Sequence, residues 1–302
     1  MLLLAQLLNG LQYGLLLFLL AAGLTLVFGI MSFVNLAHGS LYMMGAYIAA
    51  SVANSTGNFL VGIAAALAGC LAIGMLLERV AISRLYDKDH LSHVLATFGM
   101  IMFFNELASM VWGKQPLFVA IPALLDGTVD LFGLQYPLYR FAVIVAGLAV
   151  AAGCYLMIHK TRLGMLIRAG ANNTAMVGAL GINIKLLNAM LFGIGAALAG
   201  LSGAVAAPIL SVQAGMGEPV LIVTFVVIVI GGIGSVKGAF YSALIVGVVD
   251  TMGRAFLPLA LNAVISRELA DAAGPALASL LIYLLMAAVL AWRPQGLFVA
   301  KR

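Results

Sequence analysis

The sequence predicts an all-α fold: a polytopic transmembrane helical bundle of about eight or nine membrane segments, some of them interrupted, in one domain spanning residues 1–302. Three observations carry this. Hydrophobic residues make up 64% of the chain and charged residues only 8%, where a soluble domain carries about 25% charged. Apolar runs of roughly 20 residues recur along the whole length, as bilayer-spanning helices require. The alternating segments of about 10 residues that mark a transmembrane β-barrel are absent.

Taken in order, the apolar segments fall near 11–31, 39–54, 59–78, 94–112, 138–158, 188–208, 219–233, 238–257 and 275–292. The N-terminus lacks the positive stretch of a cleaved signal peptide, so the first run is expected to remain as a membrane helix. Segment 188–208 repeats small residues at Gly195, Ala199, Gly203 and Ala207. That four-residue spacing suits close helix packing, internal or at a subunit seam. Cys70 and Cys154 each lie inside an apolar run and read as packing residues. Trp112, Trp292, Tyr136 and Tyr139 fit an interfacial aromatic belt.

Charge placement orients the chain. Most of its 15 Lys and Arg residues fall in three clusters: Arg79, Arg84 and Lys88; Lys160, Arg162, Arg168 and Lys185; Arg293, Lys301 and Arg302. Glu78, Asp87 and Asp89 are the acids beside them. By the positive-inside rule these clusters face the cytoplasm, and the loops near 113–137, 209–218 and 258–274 face outward. Nine crossings would put the N-terminus outside; eight would move it inside or make one segment re-entrant. The 113–137 loop is either an outward docking surface or a connector. The net charge of +5 is spread between apolar runs, so nucleic acid is not an expected partner.

Three stretches carry the polar chemistry. The first, Lys160 to Asn188, is the longest basic interruption and contains no acid. It reads as a helical cytoplasmic loop shaped to meet a soluble partner, with Gly178 and Gly181 able to end short helices. The second is a break holding Asn35, His38, Gly39 and Ser40. It is either an interrupted helix beside a transport path or a surface turn in which His38 caps the next helix. The third break holds Gly231, Gly232, Gly234 and Ser235, where close approach or a sharp turn is expected. Its context mirrors the first break and hints at two related halves. Asp250 and Arg254, four apart, are expected to pair. No nucleophile–base set, carboxylate pair or metal spacing is present, so no bond-making chemistry, cofactor or metal is expected. No G-x-x-x-x-G-K-[ST] phosphate loop occurs.

The stretches V-N-L-A-H-G-S-L-Y-M-M-G-A-Y (34–47), E-R-V-A (78–81), R-L-G-M-L-I-R-A-G-A-N-N-T-A-M-V-G-A-L-G-I-N-I (162–184), G-G-I-G-S-V-K-G-A (231–239) and R-P-Q-G-L-F (293–298) are collinear. Together they resemble the bacterial branched-chain amino-acid ABC importer permeases of the LivH type. The resemblance implies a multi-pass subunit of the bacterial inner membrane that imports branched-chain or related small amino acids. It implies a second, related permease chain, two cytoplasmic ATPase subunits that bind the ATP, and a periplasmic substrate-binding protein. Residues 160–188 match the family's coupling segment, with Arg162, Gly164, Arg168, Ala169, Asn172, Ala175, Gly178, Gly181, Ile182 and Asn183 at its positions. The acidic residue usual after R-A is missing between Gly170 and Thr174. Relatives that move urea, short amides or other small polar solutes keep the cargo open. A stand-alone secondary carrier would need titratable groups at mid-membrane, for which only His38 and Asp250 are candidates.

Overall fold

The computed structural model describes residues 1–31, 35–86, 88–131, 133–263 and 266–298. Ser32, Phe33 and Val34 of the first break, and Asp87, Lys301 and Arg302 of the charge clusters, lie outside the described residues. Among the described residues the chain forms α1 (Leu2–Met31), α2 (His38–Thr56), α3 (Phe59–Val80), α4 (His90–Trp112), a hairpin of β1 (Thr128–Leu131) and β2 (Leu134–Pro137), α5 (Leu138–Lys160), α6 (Arg162–Ala179), α7 (Ile184–Ala206), α8 (Gly217–Gly231), α9 (Val236–Leu261) and α10 (Arg267–Trp292). Every apolar run read from the sequence is a helix, and α6 is the basic interruption between two of them. Among the described residues, 7 helices are long and apolar enough to cross a membrane. The fold is a polytopic helical bundle.

Loop contacts fix which helix ends lie together. Asn9 Oδ1 accepts from the Arg140 guanidinium (2.8 Å) and from Tyr136 Oη (3.2 Å). Leu117 and Val212 exchange backbone hydrogen bonds of 2.8 and 2.9 Å, and Asn105 Nδ2 donates to Glu218 at 2.6 Å. That end gathers the N-terminus, the hairpin and the connection from α7 to α8. At the other end Tyr86 Oη donates to Glu78 at 2.8 Å and meets Met31. There the 293–298 tail also pairs with the end of α8, Leu297 N donating to Ile230 O at 2.8 Å. With α6 set aside, successive helices alternate in direction, so the start of α1 and the 293–298 tail lie at opposite ends of the bundle. This is the arrangement expected for an odd number of crossings. The described basic clusters and α6 share the end opposite the hairpin.

Small residues let α1 and α7 form the centre of the bundle, where most of their length is buried. A Cβ at Gly195 would lie 2.9 Å from the Gly23 carbonyl oxygen, and one at Gly200 would meet the Cys70 thiol. Gly45 faces Gly200 and Gly203 faces the Tyr42 carbonyl, each too closely for a side chain. The small-residue stripe of α7 is therefore internal packing. Buried Cys70 belongs to the same seam.

Two expectations are corrected. Tyr136 and Tyr139 do not stand in an aromatic belt. Both are buried, Tyr139 donating to the Val205 carbonyl at 2.7 Å and Tyr136 to Asn9 at the hairpin end, because each hydroxyl finds a protein partner. Trp112 stacks on Tyr47 with ring centroids 4.7 Å apart, whereas Trp292 is exposed. The 258–274 loop is also shorter than expected, since Pro258 lies inside α9 and Pro275 inside α10. Gly274 makes room for Pro258, a Cβ there falling 2.6 Å from its Cγ. Membrane helices tolerate such prolines because neighbours cover the freed backbone groups.

Candidate functional site

The basic stretch folds as α6, joined to α5 by one residue. Thr161 caps it, its hydroxyl accepting from Gly164 N at 3.1 Å. Gly164 is required where it stands, because a Cβ there would strike the Met157 and Ile158 carbonyl oxygens. The Arg168 guanidinium donates to the same Ile158 carbonyl, one of the acceptors left free at the end of α5. On the inner face Ile167 is buried with Leu187 and Leu191 of α7. At Asn173 (φ −156°, ψ 94°) the helix kinks into two. Asn173 Oδ1 accepts from Met176 N at 2.9 Å, starting the second piece. Gly178 sits near Ile184, Gly181 is left-handed at φ 85°, and half-buried Ile182 leads to Asn183. Asn183 caps α7 by accepting from Leu186 N at 3.1 Å. Arg162, Arg168, Ala169, Asn172, Ala175 and Gly178 are all exposed. The stretch is thus a kinked lever clamped to both α5 and α7, with one face open. Sequence reasoning missed the kink; the doubled Asn172-Asn173 was its only signal.

The described part of the first break, from Asn35 on, lies inside the bundle. His38 opens α2 but does not cap it, since Ala37 holds the cap position with no side-chain bond. The ring abuts Gly23, where a Cβ would come 3.0 Å from Nε2. Gly23 is about 12 Å along α1 from its end at Met31. Asn35 Oδ1 accepts from Ala37 N at 3.0 Å, and Asn35 Nδ2 finds no partner among the described residues, while the His38 ring faces the Leu20 backbone. Both residues are 0% exposed. Buried Gly39 meets Gly217, a Cβ at Gly39 lying 2.6 Å from the Gly217 carbonyl oxygen. The N-termini of α2 and α8 therefore meet within the bundle, with Ser40 buried in the first turn of α2. Gly217 was not singled out by sequence reasoning, since its neighbourhood looks like an ordinary loop.

The second break sits at the α6 end and is sealed by the C-terminal tail. Gly232 and Gly234 take positive φ of 97° and 83°. Gly231 packs on Gly238, and Gly232 on Gln295 and Phe298, with Phe298 N donating to Gly231 O at 3.0 Å. Ser235 caps α9, accepting from Gly238 N at 3.0 Å. The two breaks are not brought into one site. Instead Gly234 and Ser235 share a groove of about 1700 Å3 with Arg168 and Asn172 of α6 and with Thr25 and Gly29 of α1. Among the described residues no group of His, Cys, Asp or Glu could hold a metal ion.

Asp250 and Arg254 form the expected pair, Nε to Oδ2 at 2.9 Å. It lies on α9, away from α6.

The family model of branched-chain amino acid transport system permease components matches residues 6–290. The chain is 32% identical to the high-affinity branched-chain amino acid transport system permease protein BraD of Pseudomonas aeruginosa, over 97% of this chain and 95% of that protein. It is 30% identical to the permease protein LivH of Escherichia coli K12, over 87% of this chain and 90% of LivH. It is also 30% identical to the ribose import permease protein RbsC of Escherichia coli K12, over 76% of this chain and 71% of RbsC. No solved structure matches it. A bundle of apolar helices with a clamped basic lever at one end, matched over nearly its whole length, makes this chain a multi-pass inner-membrane protein that belongs to the permease-component family of branched-chain amino acid transport systems.

Proposed function

We propose that this chain is the membrane-spanning subunit of an ABC importer for branched-chain or related small amino acids, and that α6 is where a separate ATPase grips it. The carrying observation is the clamp. α6 is held to α5 through Gly164 and Arg168 and to α7 through Ile167, while its other face is open. A partner that closes on ATP would move both helices as one body.

The motion has a route to the enclosed junction. α7 carries Gly195, which meets Gly23 of α1 beside His38. We take the meeting of the α2 and α8 N-termini, with Asn35, His38, Gly39 and Ser40, as the point where the translocation path is shut. Polar side chains fully buried in an apolar interior are costly, and a path that opens there would solvate them or present them to the cargo. The seal at Gly231, Gly232, Gly234 and Ser235 would hinge α8 against α9. A second related permease chain, two ATPase subunits and a periplasmic binding protein complete the assembly. ATP is bound by the ATPase subunits and no cofactor by this chain. RbsC imports ribose on a similar chain, so the amino-acid cargo rests on BraD and LivH.

The test is site-directed cross-linking from Ala175→Cys in membranes that also contain the products of neighbouring reading frames. A cross-link to an ATPase subunit, with ATP-dependent uptake of labelled leucine, is the expected result. Labelling of that cysteine by an impermeant maleimide added outside intact cells would overturn the reading.

A further inference from the structure

The groove beneath α6 has chemistry that the transport reading leaves unused. Its polar rim carries Arg168, Lys237 and His159, and among the described residues no Asp or Glu lines it. The first turn of α9 opens there. Ser235 caps that turn, and the first N–H groups of a helix have no acceptor of their own, so this end favours an anion. Lys237 Nζ lies 5.8 Å from the centre of the Phe298 ring, which holds the ammonium near the rim. Deeper in the groove Thr25 is 1% exposed and its hydroxyl has no hydrogen-bond partner among the described residues. Around it the wall is apolar, with Phe18, Leu26 and Leu148 among its residues. The groove is therefore basic at the mouth, apolar along the spanning helices, and polar again at one buried point.

We propose that this groove holds an anionic phospholipid of the cytoplasmic leaflet. The headgroup phosphate meets Lys237, Arg168 and the α9 N-terminus. A glycerol-ester carbonyl accepts from the Thr25 hydroxyl, and the acyl chains lie along α1, α5 and α9. The apolar wall selects a lipid over a free phosphate or a nucleotide, since a soluble anion would leave that wall exposed to water. The basic rim selects an anionic lipid over a zwitterionic one, as basic pockets at the inner ends of membrane helices do. The inference depends on the basic end being cytoplasmic but not on ATPase docking at Ala175, and lipid retention is measured without transport.

The permease, purified with the subunits that accompany it, is incubated with mixed micelles of phosphatidylglycerol and phosphatidylcholine, and bound lipid is counted by native mass spectrometry. Phosphatidylglycerol is expected to be retained over phosphatidylcholine. Lys237→Gln should lower its retention about fivefold, the effect of one basic residue at an anionic surface. Lys237→Arg should keep it, and so should Lys185→Gln, which lies outside the groove. If Lys237→Gln does not fold, Thr25→Val should lower retention in its place. Equal retention of both lipids, or unchanged retention in Lys237→Gln and Thr25→Val, would overturn the proposal. So would complete displacement by glycerol 3-phosphate, which would identify the ligand as a soluble anion.

Discussion

The imidazole of His38 and the backbone of Gly23 touch inside the bundle: a Cβ at Gly23 would stand 3.0 Å from Nε2 and would also strike the Gly195 carbonyl. One glycine thus sets the distance between α1, α7 and the start of α2. Gly23→Ala is expected to destabilise the protein by about 1–3 kcal/mol, the usual range for overpacking. Gly153→Ala, where a Cβ meets nothing within 4 Å, should be neutral or stabilising by about 0.4–1 kcal/mol. Thermal unfolding of both variants in detergent checks the pair, and equal midpoints would remove Gly23 from the junction.

His38 separates stability from transport. The ring is fully buried, with the Leu20 backbone as its polar contact, so an apolar side chain of similar size forfeits about one hydrogen bond, on the order of 1 kcal/mol. His38→Met should change the unfolding midpoint little while lowering amino-acid uptake severalfold. Unimpaired uptake would leave the histidine a structural oddity.

The lever depends on its clamp. Gly164→Ala drives a methyl into the Met157 and Ile158 carbonyls, and Arg168→Glu replaces a donor with a group that repels the Ile158 carbonyl. Gly178→Pro disturbs the second piece of α6. Each should leave membrane insertion intact and uncouple ATP hydrolysis from uptake in reconstituted vesicles. Full uptake in all three would take α6 out of the mechanism.

Arg254 is half exposed whereas Asp250 is largely buried. Arg254→Ala strands the carboxylate and should cost about 1.5–3 kcal/mol, the scale of a hydrogen bond to a charged group. Removing both side chains should cost less than removing the arginine alone, a double-mutant-cycle signature of coupling. Additive losses would mean that the pair contributes nothing.

Gly296 seals the second break. It sits at φ 83°, and a Cβ there would fall 2.6 Å from the Gly232 backbone. Gly296→Ala should free the tail, and faster protease cleavage near Arg293 would report it.

The sequence by itself determined that this is a membrane bundle, where its helices run, and which end is basic. These are local properties, since hydropathy and charge are written residue by residue along the chain. It also marked both polar breaks and the basic lever. Only the tertiary structure decided that one break is enclosed and the other closed by the tail, because burial depends on distant partners: Gly23 and Gly195 for His38, Gly296 for Gly232. The meeting of Gly39 with Gly217 was likewise invisible. A glycine at the start of a helix looks alike in sequence whether it faces lipid, water or another backbone, and only packing tells these apart.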